Sequence, residues 1–76
     1  MKHARKDYDR IQDPAGLIPE DEPVFLLRGQ DIHAPDTLRC YANAVAANGG
    51  DPKMVELVRR QADLMDLWPT HKEPDL

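Results

Sequence analysis

The stretch IPEDEPVFLLRGQD, residues 18–31, decides the architecture of this chain. Four apolar residues at 24–27 run directly into Arg28, and the polar residues Gln30 and Asp31 follow. We predict a strand over residues 23–30, because alternation gives it two faces that both begin apolar and both need covering. Such a strand delivers the cation of Arg28 to an exposed corner of the molecule.

A single strand cannot satisfy its own backbone N–H and C=O groups, so this one needs a partner. Either residues 17–18 pair with it, or the same strand of another copy does and forms a two-fold sheet between subunits. In an alternative interpretation, residues 23–28 form a short helix that begins at Pro23 and is capped by Gly29.

Two helices are predicted after the strand. The first covers residues 35–48, because Pro35 suits a first helical position and the Asn-Gly-Gly sequence at 48–50 is a strong stop. Asp51 caps the second, which Pro69 ends, and the short turn predicts antiparallel neighbours. Helical spacing predicts buried stripes of Leu38, Tyr41, Ala42, Val45 and Ala46 in the first helix and Met54, Leu57, Val58, Leu64, Met65 and Trp68 in the second.

The fold class expected is therefore α+β: a short strand followed by an antiparallel two-helix hairpin, with an extended N-terminal arm. Residues 1–76 form one small domain, with an arm at 1–16, an ordered core at about 17–68 and a loose polar tail at 69–76. Residues 7–12 could add one helical turn. A core of this size supplies little net stability, and the single cysteine excludes an internal disulfide, so we expect oligomerisation to complete the fold.

The composition narrows the functional class. A net charge of −4 argues against binding of DNA or RNA polymers, which usually needs a strongly basic face. No stretch approaches the roughly 20 apolar residues of a membrane span, and no apolar run follows the basic N-terminus as in a signal peptide. A lone unpaired cysteine fits a reducing cytoplasm, where we expect the protein to reside.

The residues that usually carry catalysis are missing or isolated. The chain has no serine, and Cys40 has no histidine or aspartate partner nearby, so we interpret it as a half-buried structural thiol. The three acids at 20–22 are typical of a solvated turn. The three histidines lack metal-ligand spacing. We therefore predict no catalysis, no metal and no cofactor.

Residues suited to ligand binding, unlike the catalytic residue types, cluster at the junction of the strand and the first helix. A guanidinium beside a helix N-terminus makes a good receptor for phosphate or carboxylate, and an aromatic ring nearby can stack on a base. The alternatives are that Arg28 pairs with Asp31, Asp36 or an acid of a sister subunit and fixes the loop, or that it contacts a protein partner. The candidate ligand-binding residues are Arg28, Gln30, Asp31, His33, Arg39 and Tyr41.

The same motifs resemble those of a small protein type common in phages and prophages. Its pattern reads DEPVF, two hydrophobic residues and R-x-QD, then APxxhRxYA and a second helix. The matching positions here are 21–25, 26–28, 30–31, 34–35 and 39–42, and the similarity spans about residues 18–68. Gly29 departs from it, since alanine is expected there.

In size and layout these proteins are similar to anti-CBASS sponges, small oligomers that sequester the cyclic nucleotide signals of bacterial immunity. The resemblance implies that Arg28 and Arg39 hold phosphates while Gln30, His33 or Tyr41 meet the bases. We therefore expect a protein of the host cytoplasm that binds a cyclic di- or oligonucleotide, assembles with itself as a dimer or tetramer, and catalyses nothing. The alternative is an inhibitor or regulator that docks on a host protein.

Overall fold

A computed structural model of the protein describes residues 1–5 and 13–75. In chain order the elements are β1 (Lys2–His3), β2 (Pro23–Val24), α1 (Ala34–Ala47) and α2 (Pro52–Leu67). The two helices pack on each other, and the two strands form a small sheet. The mixed α+β class is therefore confirmed, while the predicted helical turn at 7–12 lies outside the described residues.

The strand is much shorter than predicted, and within the chain it pairs with the N-terminus and not with residues 17–18. β2 is two residues long and pairs in parallel with β1, with Lys2 opposite Pro23 and His3 opposite Val24. The Lys2 N–H also donates to the Glu22 carbonyl at 2.7 Å. Both the strand over 23–30 and the short helix over 23–28 are wrong, because pairing with the N-terminus ends after two residues and the chain then leaves the sheet.

The start and stop signals of the helices are confirmed to within a residue or two. After α1, Gly49 adopts a left-handed φ of 72°, and the Gly50 N–H donates to the Val45 carbonyl at 2.8 Å. At the start of α2, the Asp51 carboxylate accepts from the Lys53 N–H at 2.9 Å. α2 ends where Trp68 becomes extended, as expected before proline.

The helices meet through small side chains. The buried residues are Ala34, Pro35 and Ala42 from α1 and Val55, Val58 and Ala62 from α2. Leu38 and Val45 are half-buried against them. No large side chain is fully buried in the part of the chain that the structure describes.

The predicted core stripes are therefore only partly right. Tyr41 of α1 is 53% exposed, and four large residues of the α2 stripe are also exposed: Met54, Leu57, Leu64 and Trp68. The physical reason is that α2 carries two apolar stripes side by side. The one with smaller residues faces α1, because small side chains let two helix backbones approach closely.

The tail is bonded to the loop before α1 and is not loose. The Ile32 N–H donates to the Lys72 carbonyl at 3.0 Å, and the Lys72 N–H donates to the Gln30 carbonyl at 2.8 Å. Asp31 and Lys72 thus form an isolated parallel bridge. The C-terminal residues thereby hold the segment on which the sequence places most candidate ligand-binding residues.

We predict that Gly50→Ala destabilises the protein by roughly 1–3 kcal/mol, the usual cost of forcing atoms into filled space. A Cβ on Gly50 would lie 2.5 Å from Val45 Cγ1 and 3.0 Å from the Val45 carbonyl oxygen, which already accepts the Gly50 N–H. Urea unfolding at fixed protein concentration measures the loss.

Gly29→Ala is the matched control. Its Cβ would meet Trp68 Cβ at 3.6 Å, an ordinary contact, and its φ is not positive. Because alanine restricts the unfolded backbone more than glycine does, Gly29→Ala should stabilise the fold by about 0.4–1 kcal/mol. Equal midpoints for Gly50→Ala and the unmodified protein would contradict the tight turn described above.

Candidate functional site

The corner after β2 is built by a turn at residues 28–31. The Asp31 N–H donates to the Arg28 carbonyl at 3.0 Å, which reverses the chain at Gly29 and Gln30. Trp68, at the end of α2, lies against this turn. The turn leaves the Arg28 side chain exposed, as the sequence predicts, although it leaves from a loop and not from a strand.

The backbone N–H groups at the beginning of α1 are largely hydrogen-bonded within the protein. Asp31 accepts from two backbone groups, from the His33 N–H through its side chain at 2.8 Å and from the Ala34 N–H through its carbonyl at 3.0 Å. Pro35 has no N–H, and the Thr37 N–H donates to the His33 carbonyl. The helix N-terminus therefore offers fewer free donors to an anion than the sequence suggests.

His33 belongs to the contact with the tail. Its Nε2 lies 2.7 Å from a Glu73 carboxylate oxygen. This hydrogen bond, and then the charge of the same carboxylate, raise the pKa of His33 above its ordinary value of 6.5. His33 thus fastens the loop to the tail, while the Asp31 side chain holds the backbone at the start of α1.

Arg39 is held by carboxylates. It pairs across the helices with Asp66 and, at 3.0 Å, with Asp63, and within its own helix with Asp36 at 3.4 Å. The hydrogen bonds to Asp66 and Asp63 raise the pKa of Arg39. Arg39 is therefore charged, and that charge is already paired with carboxylates. This cation joins α1 to α2.

Tyr41 lines a different depression from Arg28. A pit of about 350 Å³ lies between the helices, with an exposed wall that is entirely apolar. Besides Tyr41 it is lined by Leu27, Thr37, Leu38, Leu57, Val58 and Gln61. The tyrosine ring is therefore placed for apolar contact beside the corner.

Two of the six predicted residues, Arg28 and Gln30, share one groove of about 450 Å³. Its other walls come from the turn and from α2: Leu27, Gly29, Gln61, Leu64, Met65 and Trp68. Within residues 1–5 and 13–75, the Arg28 guanidinium has no hydrogen-bond or ion-pair partner. The groove thus combines a guanidinium without a partner in those ranges, a tryptophan that is 55% exposed and two amide side chains.

Sequence reasoning missed Gln61 and Trp68, because it assigned the α2 stripe to the core. One signal was available: Gln61 interrupts that stripe at its centre, where a core helix would carry an apolar residue. A polar residue inside an apolar stripe is typical of a face that meets a ligand or another chain.

No family model, curated protein or solved structure matches the chain. Among the residues that the structure describes, no group of three or more histidine, cysteine, aspartate or glutamate side chains is arranged to hold a metal ion. Within the same ranges, neither helix is long and apolar enough to cross a membrane.

We predict that Glu73→Gln lowers the pKa of His33 toward its ordinary value. The pKa of His33 in the folded protein lies above 6.5, so protonated His33 stabilises the tail contact fully below about pH 6.5. That stabilisation is lost as the pH rises through the folded pKa of His33. NMR titration of the His33 ring measures the change.

The control is Asp75→Asn, which removes an equal charge from the same tail but leaves the Glu73 contact intact, since Asp75 pairs with Lys72. A His33 pKa that is the same in the unmodified protein and in Glu73→Gln would contradict the contact.

Proposed function

We propose that this protein binds and sequesters a small nucleotide anion, a cyclic di- or oligonucleotide, without altering it. One observation carries the proposal: the unmatched guanidinium of Arg28 lies in the same groove as the exposed indole of Trp68. A nucleotide presents the two complementary groups, a phosphate for the cation and a flat base for the ring.

The charge distribution supports Arg28 as the phosphate-binding group. Arg39 forms ion pairs with three carboxylates, and Arg60 forms one with Glu56. Arg28 forms none within the described ranges. In a chain of net charge −4, one open guanidinium makes a local anion site that does not attract nucleic acid polymers. Its planar fork suits bidentate contact with phosphate oxygens.

The remaining walls supply base recognition. Stacking on an aromatic ring contributes about 1–3 kcal/mol per base. The amides of Gln30 and Gln61 each offer donors and an acceptor, which match the polar edge of a nucleobase. The groove's volume of about 450 Å³ lies within the range usual for small-molecule sites.

The residue roles differ from the sequence-based hypothesis. Arg28 and Gln30 keep theirs, and Trp68 and Gln61 take the base-recognition roles first given to His33 and Tyr41. The phosphate-binding role first shared with Arg39 falls to Arg28. His33 supports the site by holding the loop against the tail, and Asp31 supports it by fixing the backbone at the start of α1.

We also infer that the helices run antiparallel and that the protein works as an oligomer in the cytoplasm, the host's if a phage encodes it. Asn43, which follows Arg39 in α1, accepts from Arg59, which precedes the Arg39 partners in α2. Contacts that run in opposite order along the two helices support the antiparallel arrangement. The small core supports the oligomer.

A second candidate is a regulator that docks on a host protein. Two large side chains favour it: Leu17 is 80% exposed and Phe25 is 64% exposed, and they flank the acidic loop at 20–22. A pull-down that yields one stoichiometric protein partner, with no nucleotide in the heat-extracted supernatant, would support this alternative over sequestration.

We predict that Arg28→Ala weakens binding of the cyclic nucleotide ligand by at least about ten-fold, since a charge-assisted hydrogen bond contributes roughly 1.5–3 kcal/mol. Native mass spectrometry against a panel of cyclic di- and oligonucleotides identifies the ligand. The fluorescence of Trp68, the only tryptophan, then reports its affinity.

The matched control is Arg60→Ala, which removes an exposed arginine from α2 outside the groove. It should bind as the unmodified protein does. Ligand recovered unaltered after long incubation supports sequestration. Failure of every nucleotide in the panel to bind, or equal binding by Arg28→Ala with unchanged circular dichroism, would refute the proposal.

A further inference from the structure

α2 carries an exposed apolar stripe with regular spacing. Residues 54, 57, 61, 64 and 68 recur at alternating intervals of three and four, which is the a/d spacing of a helix that packs against another helix. Met54, Leu57, Leu64 and Trp68 are 44–63% exposed. We name these five residues the α2 seam.

The seam lies beside the face that α1 already covers. Val55, Val58 and Ala62 point toward α1, and successive helical residues are separated by about 100°. The seam is therefore rotated by roughly 110°, nearly a third of a turn, from the intramolecular contact. α2 thus has two packing faces: α1 covers one, and the turn at 28–31 lies against the end of the other, at Trp68.

The solvent-accessible surface of the chain is large for its mass. It exposes 6127 Å², whereas a compact folded chain of 8.6 kDa exposes about 4,700 Å². The excess belongs to the whole chain, including the irregular residues 13–22 and 69–75. The excess of about 1,400 Å² is nonetheless larger than the roughly 800 Å² that each partner buries in a standard interface.

The shape agrees with this area. The radius of gyration is 13.7 Å, against roughly 11 Å for a compact chain of 76 residues, and the smallest dimension is 18 Å. A slab of this thickness is one layer of paired helices. Two such layers, face to face, give the four-helix arrangement in which each helix is covered on its apolar side.

Gln61 favours a second copy of this chain as the occupant. It lies in the middle of the seam, with two apolar residues on either side. A carboxamide both donates and accepts, so two copies related by a two-fold axis through this point satisfy each other. A polar residue at a central a position fixes register in paired helices by the same means.

The pit between the helices provides the matching recess. It adjoins the seam at Leu57 and Gln61, and its exposed wall is apolar. A protruding seam side chain of another copy can fill it, as knobs fill holes in paired helices. The molecule thus carries both the protrusion and the cavity that a self-complementary interface needs.

We propose that the α2 seam is the surface through which two copies of this chain dimerise about a two-fold axis at Gln61. The groove of Arg28 shares Gln61, Leu64 and Trp68 with the seam, so the second copy closes the open side of the ligand site. This closure rests on the proposed function, whereas dimerisation without ligand does not.

The first experiment compares charge substitutions on one helix. Leu57→Glu with Leu64→Glu places charges in the seam, while Leu67→Glu places one on the same helix away from it, at a leucine 79% exposed. Analytical ultracentrifugation without ligand should give a dimer for the unmodified protein and Leu67→Glu, and a monomer for the double variant. An unmodified protein that is monomeric at micromolar concentration, or a double variant that still dimerises, overturns the proposal.

A second experiment does not depend on how the double variant folds. In a Cys40→Ser background, Gln61→Cys should form an intermolecular disulfide under mild oxidation, because the two-fold axis brings the two copies of position 61 together. Leu67→Cys in the same background should cross-link far less. Equal cross-linking of the two variants argues against the seam.

The two proposals fail separately. If the unmodified protein is a monomer that binds a cyclic nucleotide, and Arg28→Ala loses that binding, the seam proposal is refuted and the proposed function stands. A dimer that separates on seam substitution, but binds nothing in the panel, keeps the seam and refutes the proposed function.

Discussion

The contact between α1 and α2 is the constraint on which the rest of this structure depends. Alanines and valines form it, so the helices approach closely but bury little apolar area. Arg39, bound by Asp63 and Asp66 of the opposite helix, adds a charged contact at the edge. A core this thin uses one face of α2 and leaves its larger apolar side chains outside.

That displaced apolar surface and the loop of Arg28 together make the groove. Trp68 and Leu64 are exposed because α1 packs on the other face of α2, which carries the smaller residues. The loop itself has little regular structure and is held by backbone bonds to Lys72 and by the contact of His33 with Glu73. Rigid support around an exposed cation is what a binding site requires, since ordering the loop on binding would cost affinity.

The carboxylates of this chain pair with several cations but, among the described residues, not with Arg28. Carboxylates match Arg39, Arg60 and Lys72, and the Asp51 side chain caps α2. Arg28 follows an apolar run and is bordered by glycine and glutamine, so no acid adjoins it in sequence. The groove therefore contains a guanidinium and no carboxylate, on a protein of net charge −4.

The sequence by itself determined the two helices, because proline, aspartate and the Asn-Gly-Gly stop act within a few residues and need no tertiary partner. It also placed Arg28 on an exposed corner, since an apolar run that ends in a cation must surface there. Only the tertiary structure decided which stripe of α2 meets α1, because periodicity identifies apolar faces but not which of two neighbouring faces packs more closely. It also decided the pairing of β2 with the N-terminus, the tail contacts and the capture of Arg39 by α2. Each joins residues 20 or more positions apart, where local sequence carries no signal.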